Sequence, residues 1–189
     1  MQSSEKLSIE SQAIVSLACA VAYFYAYQLN GHYFEWFEFS QGVNWLYLPS
    51  GLRLLFVLVL THMGALGIVL GSIAINYMFG APDAHVFNLG TALISGGSPY
   101  LARFIAIRFF QLNTGLTGLN SKAFFKLTVL FALTNGLLHQ LWFFGTGQTD
   151  SVITSALVMA VGDWFGTVLV LACASLAIRT VKSFRHIKP

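Results

Sequence analysis

The chain has 189 residues, 56% of them hydrophobic and 9% charged, with a formal net charge of +3 and a mean hydropathy of +0.70. Soluble domains carry about 25% charged residues, so this chain has too little charge to cover a water-facing surface. A soluble enzyme and a nucleic-acid-binding module are both excluded on that ground, and the expectation is an integral membrane protein. Long apolar runs without a ten-residue alternating pattern favour helices over a barrel.

Six runs are long enough to be read as membrane spans. The first, Ala13–Leu29, follows the leader "MQSSEKLSIE". That leader is acidic and the run exceeds a typical signal-peptide core, so a retained helix is expected. The others are Trp45–His62, Met63–Phe79, Val86–Phe110, Phe124–Phe144 and Val152–Ile178. The second and third form a hairpin with almost no polar turn. The polar pieces between spans include "NGHYFEWFEFSQGVN", whose alternating aromatic and acidic residues suit a membrane interface. The expected class is therefore an all-α polytopic bundle of about six helices. Residues 1–12 form a cytoplasmic segment, 13–178 one membrane domain, and 179–189 a basic cytoplasmic tail.

Charge sets the expected orientation. With both termini inside, Lys6, Arg108, Lys122, Lys126, Arg179, Lys182, Arg185 and Lys188 are all cytoplasmic. The outer loops then hold only Glu35, Glu38, Asp83 and Asp150. The positive-inside rule requires this pattern, which places the chain in a bacterial inner membrane with the lipid bilayer as its first partner. Cys19 and Cys173 lie within apolar runs and act as small fillers.

Three charges remain inside the spans: Arg53, Arg103 and Asp163. Arg103 is near enough to the inner boundary to snorkel. Arg53 lies eight residues past Trp45 and Asp163 eleven past Val152, roughly 12 and 16 Å deep at 1.5 Å per residue. Similar depth and opposite sign invite an ion pair, because an isolated mid-bilayer charge costs about 2.5–3.5 kcal/mol; the alternative is that Arg53 snorkels outward alone and Asp163 stays protonated or hydrogen-bonded. Just before Arg53 the chain breaks with Pro49, Ser50 and Gly51. Pro suits a first helical turn and Ser can cap it. A helix start at membrane depth would present free N–H groups to an anion. Pro49, Ser50, Gly51 and Arg53 are accordingly expected to wall an outward-facing pocket for a small anionic ligand. Asn76, His139 and Asp163 complete the candidate ligand-binding set, with Asn88 and Gln140 in the same outer half.

Small residues mark expected helix contacts. Gly64, Gly67 and Gly71 lie in the third span, and Gly162 and Gly166 in the sixth, where G-x-x-x-G spacing lets backbones approach. Pro99 should kink the fourth span. The sequence contains no G-x-S-x-G, Walker, HExxH or paired-cysteine motif, so no catalytic residue, metal or cofactor is expected.

Together, "LPSG" opening a span, "LGSIAINYMFG" closing the next and "GDWFGTVLVLA" in the last resemble the bacterial membrane-associated sensor domain of the MASE type, first-described member. The resemblance covers Trp45–Ile178 and falls on Pro49, Gly51, Asn76, Gly162, Asp163 and Gly166. It implies an inner-membrane sensory module of signalling enzymes, although such domains usually have more than six spans. Because the chain stops eleven residues after Ile178, the expected form is stand-alone, signalling through a separate protein. The alternatives are a small-molecule transporter or capture subunit like those of vitamin importers, and an assembly subunit of a larger complex. Oligomeric state is left open.

Overall fold

The computed structural model describes residues 7–80, 82–110, 115 and 120–186, with the backbone alone for 178, 179 and 181–186. The expectations resting on Lys6 and on the side chains of the basic tail lie outside the described residues. Six α-helices dominate: α1 Ile9–Phe34, α2 Pro49–Leu60, α3 His62–Phe79, α4 His85–Phe109, α5 Ser121–Gly145 and α6 Val152–His186. The all-α expectation holds. Between α1 and α2 lies one addition, a 3-10 turn at Glu35–Phe37 and a hairpin of β1 Glu38–Ser40 with β2 Val43–Asn44. Gly42, at φ 75°, makes that turn.

Four helices, α1, α3, α5 and α6, are long and apolar enough to cross a membrane. The molecule is a membrane-type helical bundle. Two of the six expected spans fall short of that criterion for different reasons. Helix α2 has only twelve residues, about 18 Å. Helix α4 is long, at 25 residues, but Asn88, Ser95 and Ser98 dilute its apolar character. All three are buried.

The hairpin joint is tighter than a loop. Thr61 alone separates α2 from α3, with φ 52° and ψ −116°. The N–H of Thr61 closes α2 on the Val57 carbonyl at 3.1 Å, and its carbonyl accepts from Ala65 N–H at 3.1 Å. A side chain on Gly64 would collide with the Phe56 backbone, so glycine permits the fold-back.

Glycine spacing in the third and sixth spans predicts that α3 and α6 are central. Instead the shortest helix is central: α2 touches α1, α3, α4 and α6, while α1 packs chiefly on α3. In the α1–α3 seam two glycines join regular helices along one face. Gly67 lies against Ser16 and Cys19, and Gly71 against Ala20 and Tyr23. Gly162 and Gly166 do something else. They receive the extended backbone that precedes α2, Gly162 at the Asn44 carbonyl and Gly166 at the Tyr47 carbonyl. Any Cβ there would overlap those oxygens.

Three N–H groups of that non-helical stretch find partners within the fold. Trp45 N–H donates to the Phe37 carbonyl at 2.8 Å, Tyr47 N–H to the Gly162 carbonyl at 3.2 Å, and Leu48 N–H to Asn30 Oδ1 at 2.9 Å. Non-helical backbone inside an apolar bundle survives only when its polar groups are satisfied within the protein. Here α6, α1 and the 3-10 turn supply the partners.

Candidate functional site

The bundle has two unlike ends. Toward one end, Leu54 and Leu58 of α2, Ala102 and Ala106 of α4, and Leu127 and Phe131 of α5 form a closed apolar core. Toward the other lies an open cavity of about 440 Å³. All six helices line it, alternately by a later half and an earlier half, as an up-and-down bundle requires: Tyr23 of α1, Arg53 of α2, Asn76 of α3, Asn88 of α4, His139 of α5 and Asp163 of α6. The hairpin residues Glu38, Gln41, Gly42 and Asn44 stand at its mouth.

The polar floor of the cavity is a connected network. Arg53 and Asp163 are 3% and 1% exposed and form the expected ion pair, Nη2 to Oδ1, at 3.3 Å. One such contact does not engage the full donor fork of a guanidinium. Asn135 Nδ2 donates to the other carboxylate oxygen, while Asn135 Oδ1 accepts from Ser98 Oγ at 2.6 Å. Both oxygens of Asp163 are thereby used, which is what a buried carboxylate needs. The Arg53 guanidinium also lies over the rings of Tyr47 and Phe131, 5.6 and 5.7 Å from their centroids. Its Nε has no hydrogen-bond partner among the described residues. The Tyr23 and Tyr47 hydroxyls meet at 3.3 Å beside it.

His139 belongs to the same network by a neighbouring branch. Its Nδ1 lies 3.0 Å from the Asn135 carbonyl. A carbonyl only accepts, so Nδ1 carries the hydrogen and Nε2 accepts from Ser95 Oγ at 3.3 Å. With both ring nitrogens engaged, His139 braces α5 against α4. Neither Asp163 nor His139 presents an unengaged atom to the cavity as a base. Asn76 faces the cavity and ties α3 to α4, its Nδ2 donating to the Asn88 carbonyl at 2.9 Å.

The Pro49–Gly51 break sits elsewhere. None of its three residues lines the cavity. Ser50 N–H and Gly51 N–H donate to the carbonyls of Tyr47 and Leu48 at 3.2 and 3.0 Å, so those first-turn donors are not offered to an anion. Ser50 Oγ lies 2.7 Å from the Tyr47 carbonyl and 2.8 Å from the Asp163 carbonyl, sharing its hydrogen between them. Gly51 leaves room for Val170 and the Gly166 carbonyl. These residues lock α2 to α6 and so hold Arg53 level with Asp163. Their role is to place the pair.

Asn135 and Ser98, the bridge that holds Asp163, carry no signal as strong as a charge in an apolar span. A weaker one exists. Asn135 precedes His139 by four residues, and Ser95 precedes Ser98 by three. Helical spacing therefore puts each pair on one face, and the two polar faces meet. No protein-family model, curated protein or solved structure matches the chain.

Proposed function

We propose that the protein is a six-span, inner-membrane sensory or regulatory subunit. It binds a small polar molecule in the cavity and passes the resulting change in helix packing to a separate protein. The observation that carries this is the cavity itself: a polar chamber of about 440 Å³, open at one end of the bundle and backed by an apolar core at the other. Its size lies in the range of small-molecule sites, about 300–1,000 Å³.

Physical arguments support six crossings. The non-helical residues 45–48 lead into the roughly 18 Å of α2. That stretch docks on α6 at Gly162 and Gly166, so the chain descends beside α6 before α2 begins. Helix α4 turns its buried Asn88, Ser95 and Ser98 inward and its exposed Leu89, Leu93 and Phe104 outward, as a span beside a polar chamber should. The positive-inside pattern supports cytoplasmic termini, which puts the cavity mouth on the outer face. Replacing Cys19 and Cys173 and introducing Asp150→Cys or Lys122→Cys tests this orientation. An impermeant thiol reagent added outside should label the first and spare the second; the reverse would invert the topology.

The sensory role rests on the MASE-type resemblance. Of its residues, Gly51 meets Gly166, and Asp163 and Asn76 both line the cavity. A substrate-capture subunit of a transporter is the second proposal, favoured by the one-sided opening. Thermal unfolding of the lipid-reconstituted protein against a metabolite panel tests binding. At least one compound should raise the melting temperature saturably, and none doing so would overturn both proposals. Co-purification then separates them, a kinase or cyclase marking the sensor and an ATPase module the importer.

A further inference from the structure

The chemistry lining the cavity narrows the ligand class, given that the cavity is a binding site as proposed above. We infer that it takes a small, neutral, planar ring bearing a carboxamide or lactam edge, rather than an anion. Charge is the first observation. The buried guanidinium already faces Asp163, and the remaining charged residue lining the cavity is another acid, Glu38, at the mouth. A monoanion would add a third negative group to a chamber holding two carboxylates and one guanidinium. Solvation lost on entry would not be recovered there.

Unused amides are the second observation. Gln41, Asn44 and Gln148 line the cavity, and their side chains make no hydrogen bond among the described residues. Asn76 spends Nδ2 on the Asn88 carbonyl and keeps its Oδ1. A carboxamide presents a donor and an acceptor side by side. Its complement is an edge with the same adjacency, as in a lactam or a second carboxamide. Sugars and alcohols lack that fixed pairing.

Ring faces are the third. Tyr27 and Phe79 make a tilted pair, centroids 6.1 Å apart, where α1 meets α3. Phe87 and Phe143 make another at 5.3 Å between α4 and α5. All four residues line the cavity, so planar surface is available from two sides of the bundle for offset or edge-on stacking. Amide edges and aromatic faces together select a flat heteroaromatic amide.

The test is titration of the full chain in lipid nanodiscs with two matched probe pairs, nicotinamide against nicotinate and uracil against orotate. The neutral member of at least one pair should bind saturably and about tenfold or more tighter than its anion. Asn76→Leu should weaken it by about tenfold, the loss of one well-made hydrogen bond, and Gln148→Leu, at an exposed position, by a smaller factor of about threefold. Gln148 is exposed in a connecting segment, so its variant keeps the fold if Asn76→Leu does not. Anions binding as tightly as their neutral partners would overturn the inference. So would neutral binding that survives both substitutions. Saturable binding of sugars or amino acids without any heterocycle would overturn the ligand class and leave the binding site standing. If no compound of any kind binds, the site itself fails.

Discussion

The two halves of this bundle are built from the same helices and solve opposite problems. In α2, Arg53 and Leu54 are adjacent, yet Arg53 joins the polar floor and Leu54 the closed apolar core. In α5, Asn135 and His139 face the cavity while Leu127 and Phe131, one to two turns earlier, fill the core. Packing in the apolar half needs only shape. Lipid is as apolar as leucine, so burying Leu127 there brings dispersion and fit but little transfer free energy. The polar half needs partners, and each buried polar group depends on a specific atom of another helix. Damage should therefore be tolerated in the first half and propagate in the second.

The sharpest way to break that contrast is Gly162→Val. The new side chain would strike the Asn44 backbone carbonyl, which cannot rotate away. The segment Asn44–Leu48 would leave α6, and the descent that places Arg53 would go with it. Loss of monodisperse folded protein in size-exclusion chromatography is the expected result. A variant with wild-type melting would mean that the extended segment does not dock on α6.

Next comes the ion pair. Asp163→Ala should destabilise by about 3–5 kcal/mol, because it leaves a buried guanidinium uncompensated. Arg53→Ala should be comparable. Arg53→Ala with Asp163→Ala should be no worse than the worse single change, since the pair is lost once. Denaturation of the four proteins in one detergent measures the cycle, and strictly additive losses would rule out direct coupling. Leu127→Ala should have the smallest effect. A loss of about 1–2 kcal/mol is expected, below the 2–5 kcal/mol typical of soluble cores, with ligand binding intact. A loss as large as that of Asp163→Ala would erase the distinction between the halves.

Much of this was legible in the residues, and what escaped has a physical cause. The α2–α3 boundary was expected between His62 and Met63 and falls at Thr61, because two apolar runs without a polar turn leave only one place to fold. Arg53 and Asp163 were expected to pair because isolated charges at similar depth have few other partners. The residues of the Pro49–Gly51 break suggest a ligand wall, whereas in the fold they fasten α2 to α6 outside the cavity lining. Periodicity and turn chemistry reveal that a helix begins there, but not which neighbour takes its first N–H groups. The glycines of α6 were read as helix-packing signals for the same reason. Small-residue spacing announces a close approach without saying whether a helix or an extended strand arrives.

The sequence by itself determined the membrane character, the helical class and the identity of the groups too polar to face lipid. Those follow from transfer free energies and from a periodicity that each segment carries alone. Only the tertiary structure decided that α2 is central, that Asn135 and Ser98 complete the carboxylate's hydrogen bonds, and that a polar chamber opens beside them. Those depend on which helix meets which, and a local pattern cannot specify a partner 110 residues away.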